Sequence, residues 1–242
     1  GLGGYHPYMS RRLWRPLGQS TATQGVEFVG GEPRFFANLD ATARDWLRLG
    51  VLFADHGRFE GRRIVPAGWI DEMTKPSVNP CDGLQIWRGS PWTAQRHAAE
   101  DDEAVYLRRF SEFGSSARDT YDTLEATPGV RRVKPLSPSI RPGISRPALD
   151  AARAYAAANT SKALLIWRDG AIEEASYFDG ATAATSLVSR SMAKPLAAIA
   201  VGRAIQMGKI KSLEQPVSDF ITEWRGTPKA AVKVRQLLDM TA

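Results

Sequence analysis

The apolar positions of the chain change period several times. In residues 41–54, ATARDWLRLGVLFA, the residues Ala43, Trp46, Leu47, Leu49, Gly50, Leu52 and Phe53 fall on one helical stripe, with Arg44, Asp45 and Arg48 on the other side. Asp55-His56-Gly57 ends this helix, because glycine accepts the left-handed geometry of a helix stop. In the stretch GRRIVPAGWIDEMTKP, Pro66 sits where a second helix begins, Trp69, Ile70 and Met73 form its buried face, and Pro76 closes it. Leu84–Trp87 reads as the start of a strand. Residues 93–127 are polar and carry no clear period, with Ala104–Phe110 as one candidate strand.

The C-terminal stretch is more regular. Residues 148–158 are alanine-rich and helical in propensity. Two apolar runs, 163–168 and 172–178, flank Asp169-Gly170, which is the strongest short signal for a hairpin. After a loop of small residues, Met192, Leu196, Ile199, Ala200 and Ile205, with Val201 beside them, predict a long and largely buried helix that Gly208 stops. Residues 212–224 and 232–240 give two shorter helical patterns. The pattern predicts an α/β fold of the α+β kind: an antiparallel sheet flanked by helices, with a smaller helical region. The hairpin at 163–178 is expected to pair beside the strand near Leu84–Trp87. Three segments are expected: 1–92, an irregular connector at 93–147, and 148–242.

Composition sharpens this picture in a few places. The chain has 242 residues, 43% hydrophobic and 24% charged, which suits a folded core. The net charge of +6 is mild and by itself selects no partner. Residues 128–147 hold five prolines and five basic residues with no acid, and read as an extended connector or surface strap. No aromatic is interleaved there for base stacking, so no nucleic-acid partner is expected. The single Cys81 excludes an internal disulfide and a cysteine-cluster metal site. No apolar run approaches a membrane span. The chain starts at Gly1 without a basic-then-apolar leader, and the sequence leaves the compartment and the oligomeric state open.

The chemistry lies in Ser191-Met-Ala-Lys194. Residues three apart share one helix face, so the hydroxyl and the amine can hydrogen-bond. Burial beneath an apolar helix disfavours a charged ammonium, and a neutral lysine can take the serine proton, which is the activation that a weak hydroxyl nucleophile needs. Free N–H groups at a helix start favour negative charge near the serine oxygen. Pro195 fits the first turn of a helix and no later one, so it independently marks Ser191 as a helix start.

Residues 163–241 resemble the N-terminal catalytic part of the serine β-lactamase and penicillin-binding-protein-like family, in particular its branch of class-C-like esterases and amide hydrolases, which includes 6-aminohexanoate-dimer hydrolase. The stretches that carry the resemblance are LLIWRDG, YFDGATAATSLVSRSMAKPLAAIAVGRAI, GKIKSLEQPVSDFITEW and VRQLLDMTA. The resemblance implies that Ser191 is the acylated nucleophile and Lys194 its general base. It also implies an oxyanion hole to which the Ser191 N–H contributes, and a small ester, amide or β-lactam-like substrate. YMSRRLWRPLG, ATARDWLRLGVLFADHGRFEGRRIVPAGWIDEMTKP and GLQIWRGSPW, within residues 8–92, resemble the later part of the same family. Here they precede the Ser191 helix, as in a circular permutation or a join of two fragments. Two family motifs have no counterpart: a Tyr-x-Asn after LLDMTA, and a Lys-Thr-Gly-like triplet after GLQIWRGSPW. Their lack makes a catalytically impaired relative the alternative to an active serine hydrolase.

The other candidates carry less. His6, His56 and His97 are isolated and are expected in surface or turn positions, with no metal. Motifs for a G-x-S-x-G elbow, a phosphate loop or a zinc helix are absent, and GLGG at 1–4 follows no strand, so no cofactor is expected. Trp14, Trp46, Trp69 and Trp87 read as core, and Cys81 as an incidental thiol.

Overall fold

The amphipathic stretch at 43–54 does form a helix, and a side-chain cap explains where it starts. Thr42 Oγ1 accepts from the Asp45 N–H at 3.2 Å, and the helix ends before Gly57, whose φ is 86°. A computed structural model describes residues 4–26, 39–77, 82–87 and 123–241. The candidate strand at 104–110, Cys81 and His97 lie outside these residues. In chain order the elements are α1 (Tyr5–Met9), β1 (Ala22–Val26), β2 (Leu39–Thr42), α2 (Ala43–Ala54), β3 (Arg58–Phe59) and β4 (Arg62–Arg63). They continue with α3 (Trp69–Thr74), β5 (Asp82–Gly83), β6 (Ile86–Trp87), β7 (Thr123–Thr127) and α4 (Arg146–Ala158). Last come β8 (Ala163–Arg168), β9 (Ala171–Tyr177), β10 (Ser186–Val188), α5 (Lys194–Gln206) and α6 (Val234–Leu238). The architecture is helices with antiparallel sheets, the expected α+β class.

The chain divides into two compact units. The first is Gly1–Gln24, Leu39–Ile64 and Glu125–Arg190; the second is Gly25–Asn38, Val65–Leu124 and Ser191–Ala242.

In the first unit a four-stranded sheet has the order β10-β2-β1-β7. Ser186, Leu187 and Val188 pair with Thr42, Ala41 and Asp40. Ser189 then locks Leu39 twice: its N–H donates to the Leu39 carbonyl, and its Oγ accepts the Leu39 N–H, each at 3.0 Å. Leu13, Trp14, Leu17 and Leu52 fill the core. The hairpin β8–β9 turns at Asp169-Gly170, both with positive φ, as the sequence predicts. It does not pair with 84–87: among the described strands β8 and β9 form a sheet of their own, with a parallel bridge from Pro138 to Ile172, and β5–β6 is a separate short hairpin. Residues 128–147 are a strap with anchors. Leu136 is buried, and the Val130 and Ser139 N–H groups donate to the carbonyls of Gln19 and Ile172.

The polar side of α2 overturns its expectation. Asp45 and Arg48 are buried with Leu49 and Leu52, while Gly50 is exposed. The Asp45 carboxylate accepts from the Ser20 N–H at 2.9 Å, the Ser20 hydroxyl and the Thr42 hydroxyl, and Arg48 donates to the Lys134 carbonyl. Buried charges are tolerated when fully hydrogen-bonded, and here the partners come from a loop and a strap distant in sequence.

In the second unit α3 begins at Trp69, three residues after Pro66, because Gly68 takes a left-handed φ of 73° at the cap. Trp69, Ile70 and Met73 are buried as expected. The turn between β5 and β6 packs on the end of α3: the Leu84 N–H donates to the Met73 carbonyl at 2.9 Å, and a Cβ on Gly83 would lie 2.1 Å from that oxygen. Residues 212–232 form short 3-10 turns rather than a longer helix, and α6 follows.

Candidate active site

Helix α5 is held in place by one tight contact. The Trp69 indole lies against Gly202, where a Cβ would meet Nε1 at 2.3 Å, and Nε1 donates to the Ala198 carbonyl at 3.1 Å. Leu196, Ala198, Ile199 and Gly202 make the buried face. That face differs from the predicted one: Met192 is 59% exposed, and Ala200, Val201 and Ile205 are half-buried. The difference has a physical cause. Trp69 needs a small-residue groove, so Ala198 and Gly202 turn inward and the larger residues flank them. Gly208, with a φ of 66°, follows the helix end as predicted.

Ser191 lies in a 3-10 turn, Arg190–Ala193, that leads directly into α5. The α-helix therefore starts at Lys194, three residues later than expected, with Pro195 in its first turn. Ala193 is buried and anchors the turn, while Ser191 is exposed and Lys194 half-buried. The geometry brings the two functional groups together: Lys194 Nζ is 2.8 Å from Ser191 Oγ, a hydrogen-bonding distance. The lysine donates in its charged form. In its neutral form the same separation lets the hydroxyl donate to the amine. The shelter expected from the sequence is only partial, since the serine oxygen faces solvent.

A second polar cluster in this unit was not anticipated. A pocket of about 190 Å³ is lined by Glu72, Lys75, Ser77, Leu84, Arg235 and Asp239. Arg235 bridges Glu72 and Glu214, each at 3.0 Å, and Lys75 adds to Glu72 at 2.7 Å. Lys75 and Arg235 hold the Glu72 carboxyl below the usual carboxylate range. Asp239 is buried, its Oδ1 has no hydrogen-bond partner among the described residues, and burial pushes its carboxyl above the ordinary value. The sequence signal is the acid in LLDMTA, which stands between Leu238 and Met240.

Of the histidines, His56 is exposed in its turn, but His6 contradicts the surface expectation. His6 is buried on α1, with Nδ1 2.8 Å from Thr127 Oγ1 and Nε2 3.4 Å from Glu125. Alternate residues of β7 share one face, and that face meets the ring. Burial lowers the pKa of His6, and the nearby Glu125 partly opposes it. Trp14 and Trp69 are core as predicted, Trp46 is half-buried, and the Trp87 side chain lies outside the described residues.

Among the described residues no helix is long and apolar enough to cross a membrane. No curated protein and no solved structure matches the chain. Residues 150–242, the segment that contains Ser191 and Lys194, match the family model described as Beta-lactamase, and this match supports kinship of that segment with the serine β-lactamase and penicillin-binding-protein-like superfamily.

Proposed function

We propose that the protein is a serine hydrolase whose nucleophile is Ser191 and whose general base is Lys194, acting on a small ester, amide or β-lactam-like bond. The observation that carries this reading is the 2.8 Å approach of Lys194 Nζ to Ser191 Oγ at the mouth of α5. A neutral Lys194 takes the hydroxyl proton as Oγ bonds to the substrate carbonyl carbon. The oxyanion that forms accepts a hydrogen bond from the Ser191 N–H. The intermediate then expels the alcohol or amine, which takes its proton from the Lys194 ammonium. Water repeats the sequence on the acyl-enzyme and releases the acid.

The finer reading places the chain among class-C-like esterases and amide hydrolases. It takes 1–92 as the family's later segment, 93–147 as a connector and 148–242 as its N-terminal segment, in inverted order. A second reading, a catalytically impaired relative, is favoured by the exposure of Ser191, which lets water compete for the oxygen. Intact-mass measurement after treatment with a fluorophosphonate decides between them. The first reading expects a single adduct that is lost in both Ser191→Ala and Lys194→Met. An unlabelled wild-type chain that is folded by circular dichroism establishes the second.

A further inference from the structure

The net charge is not shared between the two units. The first holds 17 Lys and Arg against 10 Asp and Glu, a net +7, and the second holds 15 against 16, a net −1. Within the first unit three basic segments meet. Residues 4–21 contain Arg11, Arg12 and Arg15 and no acid, and residues 126–149 contain five basic residues and no acid. The β3–β4 hairpin adds Arg58, Arg62 and Arg63 against Glu60. Hydrogen bonds stitch these segments together. Arg15 Nε donates to the Gly129 carbonyl at 3.2 Å, Arg62 Nη2 to the Pro16 carbonyl at 2.7 Å, and the Val130 N–H to the Gln19 carbonyl at 2.8 Å. Arg131 and Arg132 come next in the strap, and both are exposed.

The identity of the acceptors matters. Arg15, Arg58 and Arg62, all exposed, and Arg63, half-buried, are each held by a backbone carbonyl: those of Gly129, Gly61, Pro16 and His56. A carbonyl fixes a guanidinium without cancelling its charge, whereas a carboxylate does both. Glu60, the acid of the hairpin, is taken up by Lys134 at 3.1 Å. Carboxylates take other cations in both units: Arg146, Arg153, Lys162 and Arg168 in the first, and Lys75, Lys233 and Arg235 in the second. Arg15, Arg58, Arg62 and Arg63 therefore present oriented guanidinium groups with no carboxylate partner among the described residues, the geometry that matches phosphate oxygens.

We propose that this surface, centred on Arg15, Arg62, Arg131 and Arg132, docks on the phosphate backbone of duplex nucleic acid without reading its sequence. The strap alone gave no reason to expect such a partner; the arginines of the two other segments supply it. A bilayer fits less well. Of the large apolar side chains exposed in this unit, Tyr155 and Val188 lie outside the patch segments and Ile140 lies within them, and one such side chain is a weak membrane anchor. Single strands also fit less well, because the described aromatics of the patch segments are not free for base stacking: Tyr8, Trp14 and Phe59 are buried and Tyr5 packs edge-on against His6.

The test is fluorescence anisotropy of the full chain with a short labelled DNA duplex of arbitrary sequence, titrated at several KCl concentrations. The logarithm of affinity should fall linearly with the logarithm of salt, by about 0.9 per phosphate contact. The double variant Arg131→Gln/Arg132→Gln should reduce that slope by about 2. Lys209→Gln/Lys211→Gln, which removes the same charge from exposed positions of the second unit, should leave both affinity and slope unchanged. Circular dichroism establishes that both variants fold. The proposal is overturned by salt-independent binding, by no binding at low salt, or by equal losses in the two variants. It is also overturned by tighter binding to phosphatidylserine vesicles than to the duplex.

Discussion

Gly202→Ala asks whether α5 is held by the Trp69 contact or merely lies beside it. On an ordinary helix surface this change stabilises by about 1 kcal/mol, because glycine is the poorer helix former. Here the new methyl would sit 2.3 Å from Trp69 Nε1, 2.4 Å from Cε2 and 2.7 Å from Cδ1. The indole is a rigid ring that is itself buried, so it must shift as a body. Overpacking of this kind costs about 1–3 kcal/mol. The shift also breaks the 3.1 Å bond to the Ala198 carbonyl and leaves a buried N–H unsatisfied, a further cost of about 1–3 kcal/mol. The losses exceed the gain, and the expected net destabilisation is about 2 kcal/mol, read as a lower urea midpoint. The decisive comparison repeats Gly202→Ala in a Trp69→Leu background. With the ring gone the methyl has room, and the substitution should become neutral or stabilising by up to about 1 kcal/mol. If Gly202→Ala stabilises the wild-type chain, or costs the same in both backgrounds, the packing argument fails.

Three further outcomes follow from the same kind of reasoning. His6 is buried with a lowered pKa, chiefly through desolvation, so the folded state binds its proton less readily than the unfolded chain. Stability is then complete above the ordinary histidine range and is lost as pH falls through it; melting temperature should drop between about pH 7 and 5, and His6→Gln should flatten that slope. Asp239 has a raised pKa from burial, so its charge opposes folding above the usual aspartate range; Asp239→Asn should raise the melting temperature at neutral pH and have no effect near pH 3.5 or so, and an equal effect at both would refute the assignment. Gly83→Ala would push a methyl onto the Met73 backbone oxygen, which has no side-chain freedom to yield, and should cost about 2–3 kcal/mol in a denaturant titration.

Local chemistry was legible in the sequence wherever neighbours along the chain decide the outcome. Asp169-Gly170 specifies a two-residue turn by its own backbone preferences, and the hairpin formed there. Pro195 fits only a first turn, and Ser191 and Lys194 are one turn apart, so their approach could be read directly. The start of α5 shifted because a 3-10 turn uses the same spacing as an α-helix over one turn, and the sequence does not distinguish the two there. What could not be read depends on partners far away in the chain. The burial of Asp45 and Arg48 is stabilised by donors and acceptors from Ser20 and Lys134, and nothing within α2 announces them. His6 looked isolated because Thr127 and Glu125 reach it from a strand whose own pattern was silent. The buried face of α5 departs from its hydrophobic period for the same reason: Trp69, not periodicity, selects Ala198 and Gly202 as the inward residues.

Each unit is assembled from three separate stretches of the polypeptide. No single cut in the gene isolates either one, because every such cut divides at least one unit between the two products. Dissection by expressing halves would yield orphaned pieces rather than working modules. Synthesis meets the same constraint. The first unit lacks the β10 strand of its sheet until residue 188 has left the ribosome, so neither unit completes while most of the chain is still unmade.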